Sequence, residues 1–91
     1  MAEPTGKITV GATSTVITAE NLPANLKVHA HVEWRNESDE VLMSVDGYTK
    51  TKADGSVNFT LGIGSDFVEQ HSGQTYHSPY AKLWDVNLEI S

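Results

Sequence analysis

Ninety-one residues suffice for one domain with one modest core. The absence of cysteine excludes a disulfide framework and a thiolate zinc site, so stability must come from packing and backbone pairing. Twelve acidic residues against six basic ones leave a net charge of −6, which opposes phosphate backbones and anionic membrane surfaces as partners.

The opening MAEPTGKITV has neither the basic nor the apolar region of a secretory leader, and no apolar run reaches a bilayer-spanning length. Read with Met1 as a natural start, the chain is expected to be made in the cytoplasm and to stay there or leave inside an assembly. Residues 1–6 read as a flexible arm, and residues 7–91 as one domain. Strand signals begin in GKITVGA around Ile8 and Val10 and continue in TSTVITAENLP over Thr13 to Thr18, with a loop at Pro23 and Asn25.

LKVHAHVEWR is the clearest strand. Alternation places Val28, Ala30, Val32 and Trp34 on one face and His29, His31, Glu33 and Arg35 on the other. After the polar NESDE, VLMSVDGY alternates again, and Asp46-Gly47 reads as a bend before a separate strand from Tyr48 to Lys52. Asp54-Gly55 is a tight-turn dipeptide, predicting a hairpin into SVNFTL with Val57, Phe59 and Leu61 inward. Between Gly62 and Pro79 the rhythm breaks. Asp66 and Glu69 have capping-box spacing, so a helical turn over 66–71 stopped by Gly73 competes with a strand in GQTYHS. KLWDVNLEIS reads as one last strand, with Trp84, Val86, Leu88 and Ile90 inward. Seven or eight short strands with turn signals every 8–12 residues predict an all-β antiparallel sandwich.

The chemistry-bearing residues are few. His29 and His31 share a face at a spacing used by zinc and nickel sites, but a metal needs further ligands, and two exposed polar residues are the simpler reading. Asp46, Asp54 and Asp66 lack the twelve-residue calcium-loop pattern and read as turn formers. GIGS lacks the lysine and long helix of a phosphate loop, and no G-x-S-x-G elbow is present. The expectation is a protein that is not an enzyme and carries no cofactor or metal. Trp34, Tyr48, Tyr76, Tyr80 and Trp84 are the candidates for an aromatic sugar platform, but Trp34 and Trp84 read as core residues by phase. Tyr76 and Tyr80 in the long loop are better placed for an exposed contact. Asn36-Glu37-Ser38 and Asn58-Phe59-Thr60 match the glycosylation acceptor pattern and, with no leader, read as chance.

From Lys7 to Ser91, through ITV, TVITAENLPANLKVHAHVEW, KADGSVNFTL and LWDVNLEIS, the chain resembles bacterial and phage Ig-like domains. It departs from the antibody type in having no cysteine pair, and from compact members in its long loop. The resemblance implies an Ig-like β-sandwich. With a short chain and no leader, it also implies a virion structural protein, a capsid decoration or head-accessory protein bound to the major capsid protein or another virion protein. Self-association on the lattice is an open option; nucleic acid and membrane are not expected partners. The contact residues expected on this reading are Phe67, Tyr76, His77 and Tyr80, together with the N-terminal arm. A carbohydrate-binding or adhesive module, and a small phage-encoded inhibitor of a host protein, are the alternatives.

Overall fold

A computed structural model describes residues 2–91. Its strands are β1 (Thr5–Val10), β2 (Thr15–Glu20), β3 (Lys27–Arg35), β4 (Val41–Lys50), β5 (Val57–Leu61), β6 (Ser78–Leu83) and β7 (Leu88–Ile90), with one helix, α1 (Ser65–Ser72). They form two antiparallel sheets, β1-β2-β5 and β4-β3-β6-β7. The expected all-β sandwich is therefore present. In the antibody constant arrangement the fourth strand extends the first sheet; here β4 lies beside β3 in the second. The molecule is elongated, 42 × 22 × 17 Å.

Each sheet turns one face inward. Ile17 meets Val32, Trp34, Ala81 and Ile90 in one core cluster, while Ala19, Leu22, Val28, Ala30, Val57 and Leu83 form a second. The alternation expected for Lys27–Arg35 holds residue by residue, with Val28, Ala30, Val32 and Trp34 fully buried. Trp34 donates its indole N–H to Thr15 Oγ1 at 3.3 Å, and Thr15 donates to the Ile63 carbonyl at 2.7 Å. A buried indole thus finds its polar partner.

Several expectations are corrected. Asp46-Gly47 is no bend: β4 runs through it unbroken, because Gly47 lies under the Phe59 ring and Asp46 points outward. Asp54-Gly55 is a tight turn, closed by Gly55 N–H to the Lys52 carbonyl at 2.9 Å, but it does not make a hairpin. It carries the chain from one sheet to the other, since β4 pairs with β3 and β5 with β2. Gly55 adopts φ 80° with the Leu22 carbonyl packed where a Cβ would stand. The last segment is two strands, because a 3-10 turn at Trp84–Val86 and a left-handed Asn87 (φ 51°) fold β7 back on β6. Trp84 consequently points out, 52 % exposed, rather than into the core.

α1 is longer than one turn. Gly73 ends it in the left-handed conformation, as expected, with its N–H on the Glu69 carbonyl. The capping box does not form: Gly64 is the N-cap, and the Glu69 carboxylate takes the Tyr76 N–H at 2.8 Å instead. The first helical amides, of Ser65 and Asp66, reach the carbonyls of Gly11 and Ala12 in the β1–β2 loop. GQTYHS stays outside any strand except at Ser78. The first strand begins at Thr5, within the expected arm, and the Glu3 carbonyl accepts from Asn21; Met1 lies outside the described residues.

Candidate binding face on the four-stranded sheet

The outer face of β4-β3-β6-β7 carries the molecule's densest polar and aromatic contacts. Alternation along β3 sends His29, His31, Glu33 and Arg35 there, as expected. The register places Tyr48 opposite His29, Asp46 opposite His31 and Tyr80 opposite Glu33.

Asp46 Oδ1 accepts from His29 Nε2 and from His31 Nδ1, both at 2.9 Å. His31 Nε2 meets Glu33 Oε2 at 2.7 Å, and Glu33 Oε1 accepts from Arg35 at 2.6 and 3.0 Å. Both ring nitrogens of His31 therefore face ionised carboxylates, which only accept, so the doubly protonated imidazolium is the form that satisfies the site. The bond to Glu33, aided by Asp46, raises the His31 pKa against the opposing effect of burial. Glu33 is lowered by His31 and then Arg35, and Asp46 by His31 and then His29. The Arg35 guanidinium lies 4.5 Å over the Tyr80 ring, and the Tyr80 hydroxyl donates to Glu89 at 2.6 Å, which raises the phenol's pKa.

At the other end of the face, His29 is sandwiched between Tyr48 (centroids 5.2 Å apart) and Trp84 (6.2 Å). Lys27 sits 4.8 Å over Tyr48 and Lys82 4.2 Å over Trp84. Asp85, brought close by the 3-10 turn, takes the His29 backbone N–H at 2.8 Å. Contact by contact, an unbroken path runs from Glu89 through Tyr80, Arg35, Glu33, His31, Asp46 and His29 to Tyr48 and Trp84. Chemically the face offers aromatic surface and fixed charge. Among the described residues no three histidine, cysteine or acidic groups are placed to hold a metal ion.

Of the residues expected to meet a partner, Tyr80 belongs to this face. His77 is exposed just before β6, its N–H bonded to the Arg35 carbonyl. Phe67 lies elsewhere, on α1, 51 % exposed and stacked on His71 at 5.9 Å. Tyr76 packs against the core, and burial raises its pKa. The four do not form one patch. Tyr48 and Trp84 are not among the expected contact residues, Trp84 because its phase reads as core. Tyr48 was findable from its phase opposite His29; Trp84 was hidden by a turn with no glycine or proline in it. Comparison with known proteins adds no relative: no family model, no curated protein and no solved structure matches the chain.

Proposed function

We propose that this chain is a non-enzymatic binding domain, and that it works through the outer face of its four-stranded sheet. The observation that carries the reading is the Tyr48–His29–Trp84 stack, with Tyr48, on β4, 64 % and Trp84, on the 3-10 turn after β6, 52 % exposed. Large aromatics left in water and held in place by neighbours are the usual anchors of interfaces. The setting proposed, from the resemblance to phage Ig-like domains, is a virion, with the chain decorating the capsid. The test is addition of purified protein to particles lacking it. Saturable binding that falls at least ten-fold in Trp84→Ala and Tyr48→Ala is expected, with Phe67→Ala unchanged; absence of binding, or loss only in Phe67→Ala, would overturn the assignment of this face.

A carbohydrate-binding or adhesive module is the second reading. It is favoured by the same stack, since aromatic rings beside fixed polar groups suit the C–H faces and hydroxyls of a sugar.

A further inference from the structure

An open depression of about 540 Å³ lies beside the aromatic stack, lined by Asn25, Lys27, Tyr48, Thr49 and Lys50. Its size is that of a small-molecule site, roughly 300–1,000 Å³. Two of the six basic residues of an acidic chain meet here: Lys27 and Lys50 stand directly opposite each other across β3 and β4, on the outward phase. Like charges in direct cross-strand register destabilise a sheet. Among the described residues no carboxylate comes within ion-pair distance of either ammonium. Two acids of this face are already engaged, Asp46 with His29 and His31 and Asp85 with the His29 backbone N–H. Lys27 rests over the Tyr48 ring and neither ammonium meets a carboxylate, so an anion from outside is the group that would neutralise the pair.

The rest of the lining defines what kind of anion fits. Tyr48 offers an exposed ring and Asn25 an amide, and the lysine stems and the tyrosine ring make the lining chiefly apolar between charged ends. That mixture pairs apolar surface with positive charge. It matches a ring with an apolar C–H surface, several hydroxyls and a negative charge. We infer that the Lys27–Tyr48–Lys50 corner is a binding site for an acidic saccharide. One carboxylate or sulfate is neutralised by the two ammonium groups, the sugar lies against Tyr48, and Asn25 holds a hydroxyl. This deepens the second reading above by naming a ligand class, and it rests on that reading. Because the hollow is open to water, binding is weak and salt-sensitive.

The test is an NMR titration of the full chain with tetragalacturonate and with a heparin tetrasaccharide, each alone. At least one should shift the amides of Asn25, Lys27, Tyr48 and Lys50 together. The methyl-esterified, uncharged counterpart of the binding oligosaccharide, or its desulfated form, should bind at least ten-fold more weakly, and inorganic sulfate likewise. Lys27→Gln/Lys50→Gln should lose at least ten-fold in affinity and Tyr48→Ala at least five-fold, whereas Lys7→Gln on the opposite sheet should match the wild type. These substitutions are at exposed positions, and unchanged spectra away from the corner check that each variant is folded. Shifts with neither oligosaccharide, sulfate binding as tightly as the sugar, or unaltered affinity in the lysine variant would each overturn the proposal. Particle binding by the same lysine variant separates the two readings: particles still bound with no saccharide bound leaves capsid docking standing and removes this site.

Discussion

At the scale of single residues, His31 is the group whose charge the fold decides. Its imidazolium is held by Glu33 and Asp46, so its pKa is raised in the folded chain. The stabilisation is fully present below the unfolded value of about 6.5 and fades as pH rises through the higher folded value. Glu33 and Asp46 act in the other direction: lowered in the fold, they stabilise above their unfolded values and lose that effect as pH falls through the folded ones. The cluster therefore contributes most in mildly acidic solution. Urea midpoints of the wild type should exceed those of His31→Gln at pH 5.5, with the gap narrowing by pH 8.5; a gap independent of pH would contradict the charge assignment. Asn36 shows the other use of a polar side chain. It is nearly buried, its carbonyl accepts the Ser38 and Glu40 N–H groups, and its amide donates to Glu40 and Gln74. The NES tripeptide is thus a loop scaffold. Asn36→Ala should cost about 2 kcal/mol, at about 1 kcal/mol for each orphaned backbone amide. Asn58→Ala, at the other acceptor-like tripeptide, is exposed and should stay within about 0.5 kcal/mol. Chemical denaturation of the two variants makes the comparison.

At the scale of elements, strands were legible where packing enforces a strict period and illegible where one residue serves a distant neighbour. Val28 to Trp34 alternate because β3 is a central strand with β4 on one side and β6 on the other, and its inner face is sealed. Asp46-Gly47 carries the turn composition of Asp54-Gly55, yet it sits mid-strand. What distinguishes the pair is the Phe59 ring over Gly47 and the two histidines on Asp46, both supplied by other strands. The same limit hid the site: Trp84 follows the inward phase of Leu88 and Ile90 only if the chain stays extended through Asn87. The connection between β5 and α1 supplies the element-scale prediction. Gly62 has open space around a would-be Cβ, whereas at Gly64 that atom would lie 2.4 Å from the Ala12 carbonyl. Neither glycine has a positive φ, so the contrast is one of close approach alone. Gly62→Ala should be neutral or stabilising by up to about 1 kcal/mol. Gly64→Ala must push α1 off the β1–β2 loop and should cost about 1–3 kcal/mol, the range for overpacking. Thermal melts that rank the two equally would show that this seam is not rigid.

At the scale of the whole molecule, the two ends of the chain are stitched together. β1 packs against β6 and β7, and the Ile90 side chain lies where a Cβ on Gly6 would stand. Ile90 is 3 % exposed and belongs to the cluster of Ile17, Trp34 and Val68, so the last strand, three residues long, closes a core contributed by both sheets and the helix. Each sheet is also tied by a pairing between segments distant in sequence, β2 with β5 and β3 with β6, which makes partial structures costly in loop entropy and favours all-or-none unfolding. The two tryptophans allow that to be read directly, since Trp34 is buried and Trp84 exposed. In a Trp84→Phe background, fluorescence follows Trp34 alone at the centre of the sandwich. Ile90→Ala, made in that background, should cost about 2–5 kcal/mol, as for other buried isoleucines cut to alanine. Its Trp34 fluorescence and far-ultraviolet dichroism should still lose signal at one urea concentration. If the edge strand instead peeled away on its own, dichroism would fall first while Trp34 stayed shielded. The binding face would then be mounted on a sheet that frays at β7. Coincident transitions mean that Glu89, Tyr80 and the polar path to Tyr48 and Trp84 persist or vanish as one body, as expected of a face that presents its aromatics ready-made to a partner.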